Sequence, residues 1–481
     1  MALHSLFFIF AFLPPALLLH WLTPKRLKNA SLLVLSLFFY AWGDAAALPV
    51  LCLSIIFNYG AGLWLDKIPA QPLKKLFLAF AIAANICLLV QYKYLGFLLS
   101  IFAGPNVLPA GIDATARHLP SGISFFTFSA IAYLIDIYRK KNRAEPNIIT
   151  FGAWLALFHK MLAGPIARYA DMAGDFVGRT VTLEGFADGV QRFILGLGKK
   201  ILIANTLGKV ADEAFRLHGA DLDMPTAWLG IVCYSLQIYF DFSGYTDMAL
   251  GLGSMFGLRL PENFNYPYTA KTIGEFWQRW HMSLSTWFRD YLYIPLGGNC
   301  CSPARVCANL MIVFLLCGLW HGASWSFAAW GLYHGFFLVI ERMGLARLLS
   351  KTWRPLQHFY AVLVIMTGWV FFRAESLAGA GDYLRAMVSF TSGGFDYFHM
   401  TFVNRQFLAA LAAACLFSAP VRQYLVSIKI RLETNGAKLH ARCAYAGYLA
   451  AGMIFLFSVF IACAMQLAGD VQRRYPRLVG I

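Results

Sequence analysis

Three segments of this 481-residue chain place titratable side chains in apolar surroundings, where they could do chemistry. In Cys317-Gly-Leu-Trp-His-Gly-Ala-Ser-Trp-Ser-Phe327, His321 is the only acidic, basic or histidine side chain between Arg305 and His334. Gly322, Ala323 and Ser324 beside it leave room for a substrate, and a neutral buried imidazole can take a proton from a hydroxyl near neutral pH. The competing role is a histidine that only packs against Trp320 and Trp325. His334, 13 residues on, falls about 220° around an ideal helix from His321, so it is read as structural.

The second segment is the apolar run 227–257, interrupted by Tyr239-Phe-Asp-Phe-Ser-Gly-Tyr-Thr-Asp247. A carboxylate inside a span is costly and marks a functional site by default. On a helix Tyr234, Gln237, Asp241 and Tyr245 fall on one stripe, which must face a protein interior or a wet tunnel. Asp241 could instead pair with a buried arginine and fix packing, and Asp247, off the stripe, is read as structural. In the third segment, residues 272–290, Thr272 and Glu275 form a capping box and Glu275 with Arg279 an i, i+4 pair, so a helix starts there. Trp277, Trp280 and Trp287, alternating with charge, predict a helix that lies at the membrane interface or dips in. His281 is open to two roles, a hydrogen-bonded structural histidine or one that positions substrate or moves a proton. Arg279 and Arg289 would suit a phosphate-bearing donor, or else be solvated interface charge.

The elements that must hold these residues are membrane spans. Only 13% of the chain is charged and 59% is apolar, which excludes a soluble globular domain. The net charge of +16 sits in short clusters between apolar runs, which fits a membrane lipid surface and not nucleic acid. Candidate spans or re-entrant segments are centred near residues 13, 37, 56, 85, 130, 156, 196, 240, 313, 333, 365, 412 and 455. Two are uncertain, the one at Ser121–Tyr138, which opens with Pro120 and Gly122, and the one at 188–206, which carries Lys199 and Lys200 in mid-segment. The fold class is therefore an all-α integral membrane protein of about 11–13 transmembrane or re-entrant helices. It forms a single polytopic domain over 1–481 with its motifs between about 120 and 340. Lys25, Arg26 and Lys28, then Lys67, Lys74 and Lys75, then Arg139, Lys140, Lys141 and Arg143 occupy alternate loops, while Arg117 stands alone in the loop at 101–120. That alternation predicts an outside N-terminus and three inside loops. Leu6–Leu22, without a basic leader, reads as a retained span.

Several chemistries are excluded. The ten cysteines have no C-x-x-C spacing and the histidines no paired zinc spacing, so neither a disulfide framework nor a metal is expected. A phosphate loop and a G-x-S-x-G nucleophile elbow are likewise absent, which leaves a serine-hydrolase reading without its nucleophile. A transporter or channel without covalent chemistry is the competing class. It would spread intramembrane charge over matched halves, whereas here the charge concentrates between residues 234 and 334.

The segments Leu236–Ala249, Glu275–Trp287, Asp290–Asn299 and Gly318–Ala323 resemble the membrane-bound O-acyltransferase family, and within it the bacterial alginate O-acetyltransferase branch. Gly122–Phe128, Tyr133–Arg139 and Ala163–Arg168 support the resemblance, which runs from about residue 5 to 375. It implies a helical fold around a central tunnel where a cytoplasmic acyl donor, acetyl-CoA, meets a hydroxyl acceptor from the other side, with no bound cofactor. It also implies that His321 is the catalytic base and that His281 is the second motif histidine. Asp241, Tyr245, Gln237, Arg279, Arg289 and Trp320 would bind substrate or support the histidines. A polysaccharide acceptor is expected, alginate first and cellulose or peptidoglycan next, together with periplasmic acetyltransferase partner proteins and a place in the bacterial inner membrane. Gln278, where the family motif commonly has arginine, and Phe158-His-Lys160 depart from the pattern and bear on the substrate more than on the reaction.

Overall fold

A computed structural model describes residues 2–102, 118–390, 401–421 and 449–461, together with 398 and 463. Among them every regular element is a helix. Arg117, Cys443 and most of the polar stretch 421–443 lie outside the described residues.

The first layer comprises α1 (Leu13–Leu22), α2 (Lys28–Asp44), α3 (Leu48–Lys67), α4 (Gln71–Leu89) continued through a π-helical turn at Val90–Tyr94 into α5 (Leu95–Phe102), and α6 (Ile123–Tyr138). α6 starts immediately after Gly122, whose φ of 73° is open to glycine at no steric cost, so the uncertain span at Ser121–Tyr138 is a buried 16-residue helix. The segment centred at 156 is not one span. It breaks at Ala156–Leu157 into α7 (Ile148–Leu155) and α8 (Phe158–Met161), and the chain then returns through α9 (Tyr169–Gly178).

The other uncertain span is a long helix: α10 (Leu183–Gly198), a π-helical turn at Lys199–Ala204 and α11 (Asn205–Ala214) run on without a break. It packs along the 32-residue α12 (Met224–Met255), which carries the polar stripe. A Cβ on Gly196 would lie 2.5 Å from the Gly244 carbonyl oxygen and one on Gly251 2.5 Å from that of Gly189, so only glycine permits this backbone approach. The lysines that make the span look implausible are neutralised across the same contact: Lys199 Nζ is 2.6 Å from Asp247 Oδ2, and Lys200 Nζ is 2.7 Å from Asp241 Oδ1. Arg192 adds a second cation on Asp247 at 2.9 Å.

The motif-bearing layer comprises the short helices α13 (Ile273–Arg279) and α14 (Met282–Phe288), the hairpin of α15 (Pro303–His321) and α16 (Trp325–Ile340), then α17 (Ala346–Leu349), α18 (Arg354–Arg373) and α19 (Leu377–Ala386). Thr272 Oγ1 accepts from the Glu275 amide at 3.0 Å, the cap that starts α13. Of the two placements open to this segment, burial favours the one that dips in: Trp277, Trp280 and Trp287 are buried. Trp277 packs on Phe314, Trp330 and His334, Trp280 on Phe264 and Trp369, and Trp287 stacks on Phe128 at 3.9 Å. A segment mixing charge and tryptophan suits an interface, but here the rings find an aromatic core.

Among the described residues, four helical stretches, Lys25–Lys67, Gln71–Phe102, Pro303–His321 and Arg354–Arg373, are long and apolar enough to cross a bilayer. The basic loops lie at one end of the bundle. Asn29 bonds Thr150 and Phe176 and receives Arg179, Asp66 accepts from the Ala144 amide, and Arg139 donates to the Asp290 carbonyl. The nine described cysteines are free.

Candidate active site

α6, α12, α15, α16 and α18, with the link between α13 and α14 and one side of the π-helical turn at 90–94, enclose a cavity of about 410 Å³. The whole predicted stripe, Tyr234, Gln237, Asp241 and Tyr245, lines it, as do His281, Trp320 and His321. Residues on α12, on the link between α13 and α14 and on α15, up to 87 positions apart, are thus brought to one surface.

His321 is the last residue of α15, and the chain turns out of the helix at Gly322. Its ring is held by aromatic edges, Trp320 at 4.9 Å, Phe372 at 5.1 Å and Trp330 at 5.2 Å. Among the described residues no hydrogen bond occupies either ring nitrogen, so the imidazole is oriented by packing and keeps a free lone pair toward the cavity.

His281 is held differently. It links α13 to α14 in the left-handed conformation, φ 44° and ψ 53°, which a non-glycine residue adopts only at a cost that surrounding contacts must offset. Asn263 provides those contacts. Its main-chain oxygen accepts from the Met282 amide at 3.0 Å, and its Oδ1 accepts from the Ser283 amide at 3.1 Å and Ser283 Oγ at 2.9 Å. His281 Nδ1 meets the same Oδ1 at 3.1 Å. An amide N–H can only donate, so the atom it meets is the Asn263 carbonyl oxygen, and His281 Nδ1 must carry its proton. The lone pair is left on Nε2, which is buried without a partner.

The pocket has a polar minority within an aromatic wall. Gln237 Oε1 and Trp320 Nε1 are also buried without partners, as atoms awaiting a ligand would be. Asp241 reaches the wall as one half of its ion pair with Lys200, a lysine where the sequence suggested an arginine. Asp247 faces away, into Lys199 and Arg192. His334 is fully buried between Trp277 and Trp330 and is not part of the cavity wall.

The structure does not bring Arg279 and Arg289 to the cavity. Arg279 closes on Glu275 at 2.9 Å and on the Asn265 carbonyl, while Arg289 is exposed and pairs with Asp290 at 2.7 Å. Burial would raise the Asp290 carboxyl, but hydrogen bonds from Arg289 and Arg168 outweigh it and hold the group below the usual carboxylate range. Sequence reasoning missed Asn263, Lys93, Ser124, Trp330, Trp369 and Phe372. Of these only Lys93, a lone charge in an apolar run, left a signal in the sequence.

Histidines with free lone pairs, unpartnered amide and indole groups and a largely aromatic wall together suit proton transfer at a hydroxyl in a space that excludes bulk water. Among the described residues no group of three or more histidine, cysteine, aspartate or glutamate side chains could hold a metal ion.

Comparison with known proteins agrees in extent and kind. The model of the MBOAT, membrane-bound O-acyltransferase family, matches residues 34–378. A probable alginate O-acetylase of Azotobacter vinelandii is 42% identical over 427 residues, covering 88% of this chain and 84% of that protein. The peptidoglycan O-acetyltransferase of Helicobacter pylori is 35% identical over 438 residues, 83% of this chain and 82% of that protein. The teichoic acid D-alanyltransferase of Streptococcus thermophilus is 30% identical over 239 residues, 46% of this chain and 56% of that protein.

Proposed function

The chain belongs to the membrane-bound O-acyltransferase family, and from that premise we propose that it moves acetyl groups from a cytoplasmic thioester, acetyl-CoA, to hydroxyls of an exported polysaccharide. Alginate is the first candidate, because the alginate relative is more similar to this chain than the peptidoglycan one. The single observation that carries the reading is the cavity that joins His321, His281 and the stripe of α12.

The acceptor hydroxyl attacks the acetyl carbonyl carbon while His321 takes its proton. The tetrahedral intermediate then expels the thiolate, which receives that proton from His321. A carbon–oxygen bond forms, a carbon–sulfur bond breaks, and the protein is returned unchanged. His281 Nε2 and Gln237 Oε1 accept from acceptor hydroxyls and hold the attacking one in line. α15 rises from the basic-loop end, and its 19 residues carry His321 roughly 27 Å along the bundle axis, toward the opposite face. With the basic loops in the cytoplasm and the N-terminus outside, the acceptor, or a periplasmic partner that takes the acetyl group onward, approaches the histidine from the periplasmic side of the inner membrane.

The test is the acetyl content of cell-surface polysaccharide in cells carrying His321→Ala at normal protein level. Loss of acetyl groups is expected. Unchanged acetylation would overturn the reading and leave a scaffold or conduit, whose complete removal would instead disrupt assembly or export.

A further inference from the structure

Lys93 is the one cation on the cavity wall that is not matched by a carboxylate among the described residues. It lies in the helical stretch Gln71–Phe102, of mean hydropathy 2.0, on the π-helical turn that joins α4 to α5. Such a turn inserts an extra residue and re-aims the side chains around it. Its Nζ donates to Ser124 Oγ at 3.2 Å and to the Trp320 carbonyl, while Tyr94 Oη donates to the Leu319 carbonyl at 2.9 Å. The two neighbouring residues are thus fastened to the end of α15, one peptide unit before His321. Lys199, Lys200 and Arg192 each have a carboxylate partner, as a cation within a membrane bundle requires. Lys93 has none. An ammonium has three N–H groups, two are engaged, and the third is left for whatever enters the cavity.

We infer that Lys93 is a catalytic residue whose remaining N–H stabilises the negative oxygen formed on the acetyl carbonyl during transfer. The inference rests on the acyl-transfer reading above. As the acceptor oxygen bonds to the carbonyl carbon and its proton passes to His321, the electron pair of the C=O double bond moves onto oxygen beside the Lys93 ammonium. Collapse restores the double bond, expels the thiolate and returns the proton from His321 to sulfur. Lys93 keeps its own protons throughout. A fixed cation in a water-poor site contributes most where charge appears only in the transition state, and Ser124 and the Trp320 carbonyl fix this one.

The test uses the full-length protein in lipid nanodiscs with acetyl-CoA and alginate oligosaccharides, and it follows both acetyl transfer and acceptor-free hydrolysis of the donor. In Lys93→Met, kcat is expected to fall roughly 10²-fold, the scale of losing one oxyanion donor, with both KM values little changed. Acceptor-free hydrolysis is expected to fall by the same factor. Lys93→Arg, which keeps the charge, is expected to retain more activity than Lys93→Met. Ser124→Ala, which loosens Nζ without removing it, is expected to lower kcat less and provides the readout if the methionine variant does not fold. Wild-type kcat in Lys93→Met or in Ser124→Ala would overturn the inference. So would a rise in acceptor KM with donor hydrolysis untouched, which would make Lys93 a reader of an anionic acceptor. Failure of the wild-type protein to transfer acetyl, or full activity in His321→Ala, would instead overturn the acyl-transfer reading itself.

Discussion

Asn263→Ala removes a single oxygen on which the position of His281 depends. That oxygen accepts from His281 Nδ1 at 3.1 Å, from the Ser283 amide at 3.1 Å and from Ser283 Oγ at 2.9 Å. The serine hydroxyl can rotate and still accepts from the Ile166 amide at 3.0 Å, so two buried donors are stranded. At about 1–3 kcal/mol for each unsatisfied buried donor, the variant is expected to lose about 2–6 kcal/mol of stability. The same change frees the imidazole to exchange the proton between its nitrogens and relaxes the left-handed turn at φ 44°. Acetyl transfer should fall roughly 10²-fold if His281 must present the Nε2 lone pair. Unfolding midpoints in detergent and initial rates of acetyl transfer, measured on the same preparation, check both figures. Asn263→Asp keeps the accepting oxygens and should recover part of the activity. An Asn263→Ala protein with unchanged midpoint and rate would refute the reasoning, because no described contact other than Asn263 fixes the tautomer.

Other expected outcomes follow from the ion pairs. Asp247→Asn leaves Lys199 without its carboxylate and Arg192 with only Glu262. It should cost about 3–5 kcal/mol, and adding Lys199→Met should recover a large part of that in a double-mutant cycle. Arg279→Ala and Arg289→Ala remove charges bonded outside the cavity, so transfer rates should stay within a small factor of wild type; a large loss would place a donor-binding surface there. The Asp290 carboxyl is held below its unfolded value by Arg289 and Arg168, so its stabilisation is present above the unfolded carboxylate pKa of about 3.9 and is lost as the pH falls through the folded value. Asp290→Asn should therefore flatten the acid limb of stability against pH while leaving the neutral region less stable.

The polar stripe on α12 was legible because four polar side chains at helical spacing in an apolar run leave one face to explain. His321 was legible for a related reason, as the only titratable group in a long uncharged stretch. The long α10–α11 helix was harder to read, because Lys199 and Lys200 look unaffordable until Asp247 and Asp241, more than 40 residues away, are placed against them. Trp277, Trp280 and Trp287 left two placements open: tryptophan among charges suits both a membrane interface and an aromatic core, and only the packing partners distinguish the two. Asn263 left no signal, since its role depends on a left-handed turn 18 residues later in the chain. In the sequence Lys93 shows only as a lone charge in an apolar run. Its role emerges only when the end of α15 is docked against it.

The central claim is covalent acyl transfer at His321. Purified protein in nanodiscs, supplied with acetyl-CoA carrying a labelled acetyl group and with an alginate oligosaccharide, should pass the label to the sugar. The same amount of folded His321→Ala should pass none above background. Equal label transfer by the two proteins, or no transfer by wild type even with its periplasmic partners present, would contradict the account.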